Sequence, residues 1–391
     1  MKRIGILTGG GDVPGLNSVI KSVVYRSSEV GWEALGIRRG WKGLTHVDIS
    51  REDGGGFLRR LDRVSTRAID RTGGTVLHTS RTNPSSMGRS ALPDGLDPGR
   101  LPSLEIDDGR YDLTPIVLEH LEQLGIEALV AIGGDDTLSY AARLGREGFP
   151  VIAIPKTMDN DVQGTEYCIG FSTAVTRAKE LINRQRTTLG SHERIGVFRI
   201  FGRNAGYTAW YAAYVTSARC VIPEAPFDLD ALAAVLADDW RLNPSNYAFV
   251  IASEGAIWRG GEITEVGERD AFGHRHKADV GEALAEELKR RTGVETVHSD
   301  LTYDLRSGDP DALDQLVAIT FANIAVDLLA DGQTGRMVAV RDGNYAHAPL
   351  PERALGARTI DVAEMYNLER FRPRYEAKLG SPLLLGPAAP G

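Results

Sequence analysis

Ile132-Gly133-Gly134-Asp135-Asp136-Thr137 and Ile154-Pro155-Lys156-Thr157-Met158-Asp159-Asn160-Asp161 decide how this chain folds. The first follows EALVAIGG, an apolar run without alternation, as a strand covered on both faces requires. The second leaves the end of VIAIP, a strand of the same kind. Between them TLSYAARLGREG predicts a helix, with Thr137 near its start and Gly145 and Gly148 near its end. Strand, helix and strand make a β-α-β crossover, and ligands of open α/β sheets sit at the carboxyl ends of the strands. Two glycines, four acids and a lysine thus converge on one crevice. The glycines let phosphates approach the backbone, the acids can hold Mg²⁺ or take a proton, and the lysine can pair with an anion. Gly-Gly-Asp and Asp-Asn-Asp are each common turn sequences. Their joint placement, one crossover apart, points to a phosphate and metal site.

Working outward, Arg3 to Thr8 predicts another buried strand, running into Gly9-Gly10-Gly11-Asp12 and then a helix whose core face carries Val19, Ile20, Val23 and Val24. A glycine turn ahead of a helix is a ready anion site. It is not GxxxxGK[ST], since no Lys-Ser/Thr follows. It is also a poor dinucleotide fingerprint, because the third glycine is late and no acid follows the next strand, WEALGI. Residues 50–110 are the least regular. Gly73-Gly74-Thr75 leads to Arg81, which can aim a guanidinium at phosphate, and residues 84–110 read as a mobile flap or insertion. Downstream, helices and strands alternate: RIGVFRIFG ending in Gly202-Arg203, YAFVIASEG ending in Glu254-Gly255, a charged helix from Lys277 to Gly293, TVHSDL ahead of Tyr303 and Arg306, a long apolar helix, and RMVAV. From about Pro373 the chain reads as loosely structured.

This order predicts an α/β fold of two Rossmann-like lobes with largely parallel sheets. Residues 1–170 plus about 306–350 would form one lobe, and 171–305 plus about 351–391 the other, with the site between them. A chain of 391 residues suffices for two such cores. The formal net charge of −8 argues against a nucleic-acid partner. Cys168 and Cys220 fit no metal spacing and read as buried thiols of a reducing, cytoplasmic protein. No apolar run reads as long enough to span a bilayer, and MKRIGILTGG lacks a signal-peptide core.

Taken together, GGGDVPGLN, GGTVLHTSRTNP, IGGDDT, PKTMDND, SHERIG, FGRNAGY, ASEG and YDLRSGDP occur in this order over nearly the whole chain. This resembles the phosphofructokinase family, and its pyrophosphate-dependent branch in particular. The resemblance implies transfer of a phosphoryl group, with Mg²⁺, to the 1-hydroxyl of fructose 6-phosphate. It implies Asp159 as general base, Asp161 assisting with metal or orientation, Thr157 hydrogen-bonding sugar or phosphate, and Asp135 holding Mg²⁺. Arg203 would stabilise the transferring group. Gly11 and Arg81 would contact the donor, alongside Asp136, Thr137 and Lys156. The sugar phosphate would be held by Arg306, by Tyr303 where many relatives have histidine, and by Arg194 from a neighbouring subunit of a homodimer or homotetramer. Glu254 would bind sugar hydroxyls, with Phe201 and Gly202 beside them. Such chemistry is mostly positioning and charge neutralisation, and a base of ordinary aspartate pKa suffices for it.

Donor choice turns on Asp136 and Lys156. ATP-using relatives usually have glycine where Asp136 stands. A carboxylate about 4 Å from an α-phosphate costs about 4 kcal/mol at an effective dielectric near 20. Lys156 can pair with pyrophosphate. The alternatives are ATP as donor, or another acceptor such as sedoheptulose 7-phosphate, since Phe201 replaces a usual methionine and no arginine stands near Val297 and His298. Lys21 and Tyr25 stand where bacterial relatives carry an arginine-rich effector pocket, which argues against that form of control.

Overall fold

The computed structural model describes residues 2–107, 109–260, 265–266, 276–277 and 280–376. Its first sheet is built in chain order from β1 (Arg3–Thr8), helix α1 (Leu16–Glu29), β2 (Glu33–Ile37) and β3 (Leu58–Leu61). Helix α2 (Thr114–Gln123), β4 (Ala128–Gly133), α3 (Asp135–Arg146) and β5 (Val151–Pro155) follow. A second sheet takes up the chain after α4 (Phe171–Ser191), with β6 (Ile195–Ile200), α5 (Tyr207–Thr216), β7 (Arg219–Val221), α6 (Leu229–Leu242), β8 (Ala248–Ser253), α7 (Val280–Thr292) and β9 (Thr296–Asp300). The long helix α8 (Ala312–Ala330) returns the chain to the first sheet, where β10 (Arg336–Arg341) and β11 (Asn344–Pro349) form its far edge.

The first sheet has the order β11-β10-β5-β4-β1-β2-β3 and the second β7-β8-β6-β9. All neighbours are parallel except the edge pairs β2/β3 and β10/β11. The predicted α/β architecture therefore holds. The sequence reading missed both antiparallel edge strands, which are short or half-exposed and lack the continuous apolar run of a central strand. Register matters most for function. Thr8 lies opposite Ile132, and Gly133 opposite Pro155, so β1, β4 and β5 end together. Ile200 lies opposite Ser253, and Arg199 opposite Asp300, so the second sheet's loops also leave together. In the first sheet β2 and β4 flank β1 on opposite sides, the arrangement that opens a crevice at the strand ends.

Three expectations need correction. Residues 84–110 are not a structureless flap: Met87–Gly88, Glu105–Asp107 and Arg110–Tyr111 pair as a small antiparallel sheet over buried Met87, Leu104, Tyr111, Leu113 and Ile116. Lys277 lies in a two-residue strand, His276–Lys277, and the helix expected from it begins at Val280. Helix α8 is, by length and composition, long enough to cross a membrane (mean hydropathy 1.5), although half of it is buried. It packs on α1, and buried Asp314 near its start accepts hydrogen bonds from Tyr167, Gly170 and Thr173. Cys168 and Cys220 are buried free thiols, as expected. Lys21 is committed to Asp70 at 2.8 Å. Most of the stretch predicted to be loose after Pro373 lies outside the described residues.

Candidate active site

The glycines at the strand ends exist to admit one side chain. A methyl group on Gly9 would come within 2.5 Å of the Thr137 hydroxyl, and one on Gly133 within 2.3 Å of the Thr137 Cβ. Thr137 thus wedges the ends of β1 and β4, while Gly10 turns with φ of 80°. The loop is stitched to the Thr75–Arg81 region: Gly10 N–H donates to the Ser80 carbonyl at 3.0 Å, and the Thr79 hydroxyl to the Gly10 carbonyl at 2.6 Å. Helix α3 starts two residues earlier than expected, with Gly134 as its cap, so Asp135 and Asp136 occupy the first turn. Their charges there meet the positive end of the helix dipole.

The other loop, after β5, is held at its root by Lys156 N–H donating to the Gly133 carbonyl. Asp159 N–H donates to the Thr157 hydroxyl at 3.2 Å. Asn160 adopts a left-handed φ of 54°, bonding through its side chain to the Glu166 carbonyl and the Cys168 N–H. Asp159 and Asp161 therefore project from either side of a fixed, buried residue.

These loops and those of the second sheet line one open cavity of about 560 Å³. It holds Gly11, Arg81, Asp135, Asp136, Thr137, Lys156, Thr157, Asp159, Asp161, Phe201, Arg203, Glu254, Tyr303 and Arg306. Two expected residues are outside its lining. Gly202 lies behind the wall: with φ of 128°, a methyl there would strike the Ser253 hydroxyl at 2.1 Å. Arg194 precedes β6, at the opposite end of that strand from Arg203.

Electrostatics divide the cavity. Asp135 and Asp161 are each pushed up to about 7, first by burial and then by neighbouring carboxylates: Asp136 and Asp159 for the former, Asp135 for the latter. Asp159 is raised well above the ordinary range by burial, Asp161 and Glu254, against the opposing pull of Arg203. The sequence reading required no more than an ordinary aspartate pKa of this base; the upward shift arises because the loop confines its acids together away from water. On the other side, the buried Lys156 amine sits 3.3 Å from where a Gly10 methyl would stand. Burial, then the charge of Arg306, lower it to about 8, and Arg81 adds to the effect. Arg306 reaches further than the sugar-side role expected of it. Its guanidinium would touch a methyl on Gly11 at 3.1 Å, faces Asp12 at 3.8 Å, and lies over Phe201 at 4.7 Å.

Sequence reasoning missed Arg199, Asp300 and Thr302, and Pro351, Glu352, Arg353, Gly356 and Ala357 of the segment 351–357, all in the lining. Arg199 pairs with Asp300 at 2.8 Å and with Glu254 at 3.4 Å, and Arg203 faces Glu254 from the other side at 3.6 Å. An arginine inside a buried strand was the available signal. The segment 351–357 carries no such signal.

A hard cation suits the acidic half. Asp135 and Asp161 offer oxygen donors that burial and mutual repulsion leave in want of positive charge. Among the described residues no group of three or more His, Cys, Asp or Glu could hold a metal. Two carboxylates completed by phosphate oxygens and water is a Mg²⁺ arrangement.

Residues 3–329 match the family model for phosphofructokinase. The chain belongs to the phosphofructokinase family. It is 38% identical over 375 residues to the pyrophosphate–fructose 6-phosphate 1-phosphotransferase of Amycolatopsis methanolica, covering 94% of this chain and 99% of that one. It is 35% identical over 370 residues to the ATP-dependent 6-phosphofructokinase 3 of Streptomyces coelicolor, covering 94% and 99%. A crystal structure of pyrophosphate-dependent phosphofructokinase from Marinobacter aquaeolei superposes with a TM-score of 0.72 at 20% identity, over 96% of this chain and 89% of that one. That likeness concerns the fold.

Proposed function

We propose that this phosphofructokinase transfers a phosphoryl group, with Mg²⁺, from pyrophosphate to the 1-hydroxyl of fructose 6-phosphate, in a reaction close to reversible. The observation that carries the donor is the short-range clustering at the glycine loop. The buried Lys156 amine stands at Gly10 and the Arg306 guanidinium at Gly11, Arg81 lines the same cavity, and Asp136 stands in the first turn of α3. Pyrophosphate brings its whole charge to that spot. ATP must carry an α-phosphate and nucleoside onward past the Asp136 carboxylate. The ATP-dependent relative at 35% identity keeps ATP as the second reading.

In this reading the lobe built on the first sheet, residues 1–170 with 306–350, holds the donor, and the second lobe holds the sugar phosphate. Asp159 takes the proton of the attacking hydroxyl. The neighbouring Arg203 favours its ionised form and neutralises charge on the transferring group. Lys156 and Arg81 hold the pyrophosphate with Gly11 and Thr137. Glu254, fixed between Arg199 and Arg203, receives sugar hydroxyls. Arg306 spans the two ends, and Tyr303, Phe201 and Thr157 wall the sugar. Asp135 with Asp161 would hold Mg²⁺, which supplies positive charge to the phosphate oxygens when bound. The assembly is a cytoplasmic homodimer or homotetramer in which Arg194, remote from its own cavity, serves a neighbour's.

Asp159→Asn tests the reading. Turnover should fall by about 10³-fold or more, with fructose 6-phosphate still bound at near wild-type affinity. Retained turnover in that variant removes Asp159 from the mechanism.

A further inference from the structure

Residues 351–357 roof the cavity, and the chain then runs through the seam between its two halves as Arg358-Thr359-Ile360. We propose that Arg358 is a positioning residue that sets the Asp159–Asp161 loop and ties it to the loop carrying Arg203. The proposal rests on the reading of Asp159 as the base.

On one side Arg358 meets the base loop. Its main-chain N–H donates to the Asp161 carbonyl at 2.6 Å. Its guanidinium Nη1 donates to the Asn160 carbonyl at 3.3 Å and to the Glu166 carbonyl at 3.4 Å. Asn160 is only 2% exposed, so its carbonyl depends on a protein donor. It also holds the left-handed turn between Asp159 and Asp161, a conformation that persists only where the surroundings enforce it. Rotation of that peptide would swing both carboxylates.

On the other side Arg358 meets the second sheet. Its guanidinium lies 4.4 Å over the ring of Tyr207, the first residue of α5 after the Arg203 loop. The Tyr207 hydroxyl donates to the Thr359 carbonyl at 2.7 Å. Glu224 accepts from both Ile360 N–H and Gly206 N–H at 2.9 Å. The segment is thus bonded to the end of each catalytic loop, and Arg358 is the side chain that touches both. Base and Arg203 come from different sheets, and a misplacement of about 1 Å between them is costly in rate.

The test is steady-state turnover of fructose 6-phosphate with Mg-pyrophosphate. Arg358→Ala should lower kcat about tenfold or more while KM for both substrates stays within about threefold. Arg358→Lys, which keeps the charge but not the planar fork, should fall between the two. Guanidinium chloride at tens of millimolar (about 20–50 mM) should restore part of the Arg358→Ala turnover and none in wild type, which a purely structural loss would not show. Wild-type kcat in Arg358→Ala overturns the proposal, as does a loss that guanidinium leaves unchanged. If Arg358→Ala does not fold, wild-type kcat in Arg358→Lys overturns it. Turnover surviving in Asp159→Asn would instead defeat the underlying reading, whatever Arg358 does.

Discussion

Asp135 and Asp161 hold protons up to about 7 in the folded protein, against an ordinary value of 3.8. The sign of the consequence is fixed by that direction. Between the two values the folded chain binds protons that the unfolded chain has released, so this contribution to stability is present at low pH and lost as pH rises towards about 7. If Mg²⁺ and pyrophosphate bind as proposed, they need these carboxylates ionised, so binding should expel protons near pH 6.5. Calorimetric titration in buffers of different ionisation enthalpy should detect a net release at about pH 6.5 that shrinks by about pH 9. Equal uptake or no exchange at the lower pH would contradict the placement of these acids. Residue identity in this half of the site was legible early, because acids and glycines next to buried strands have few other reasons to gather. Their pKa values were not, since these depend on burial and on distances between separate loops.

The elements were legible wherever one signal dominated. Continuous apolar runs gave the central strands β1, β4 and β5, and their shared ends gave the crevice. Strands β3 and β11 were not, since an edge strand takes its partner from tertiary context rather than from its own pattern. Residues 84–110 misled for a related reason: their Pro, Gly and Ser composition reads as loop, yet Met87 and Leu104 within them pack with Tyr111, Leu113 and Ile116 just beyond into a local core. The segment 351–357 entered the site only through the return of the chain over the cavity. At this scale Gly202 offers a sharp test. Its left-handed backbone and the 2.1 Å approach of a methyl to the Ser253 hydroxyl leave no room for alanine. Gly202→Ala should cost about 2 kcal/mol or more of stability in denaturant unfolding, and should lower turnover by displacing Arg203 and Glu254. Wild-type stability would mean that the β6 loop is less constrained than its contacts indicate.

For the whole molecule, two largely parallel sheets bring their strand ends to one cavity, so that Arg81, Lys156 and Asp159 reach it from the first sheet and Arg203 and Glu254 from the second. Arg194 is the exception, standing at the far end of β6. If it completes a neighbour's site, Arg194→Ala should raise KM for fructose 6-phosphate, and activity should fall on dilution in step with dissociation measured by light scattering. A dissociated monomer with full activity would rule this out. Whether this cavity takes pyrophosphate and refuses ATP is decided by one comparison. Formation of fructose 1,6-bisphosphate from fructose 6-phosphate and Mg²⁺ is measured with pyrophosphate and with ATP at equal concentration, in wild type and in Asp136→Gly. Turnover is expected with pyrophosphate, with the ATP rate about 10²-fold or more lower in wild type and ATP use gained in the variant. Wild-type preference for ATP would contradict this.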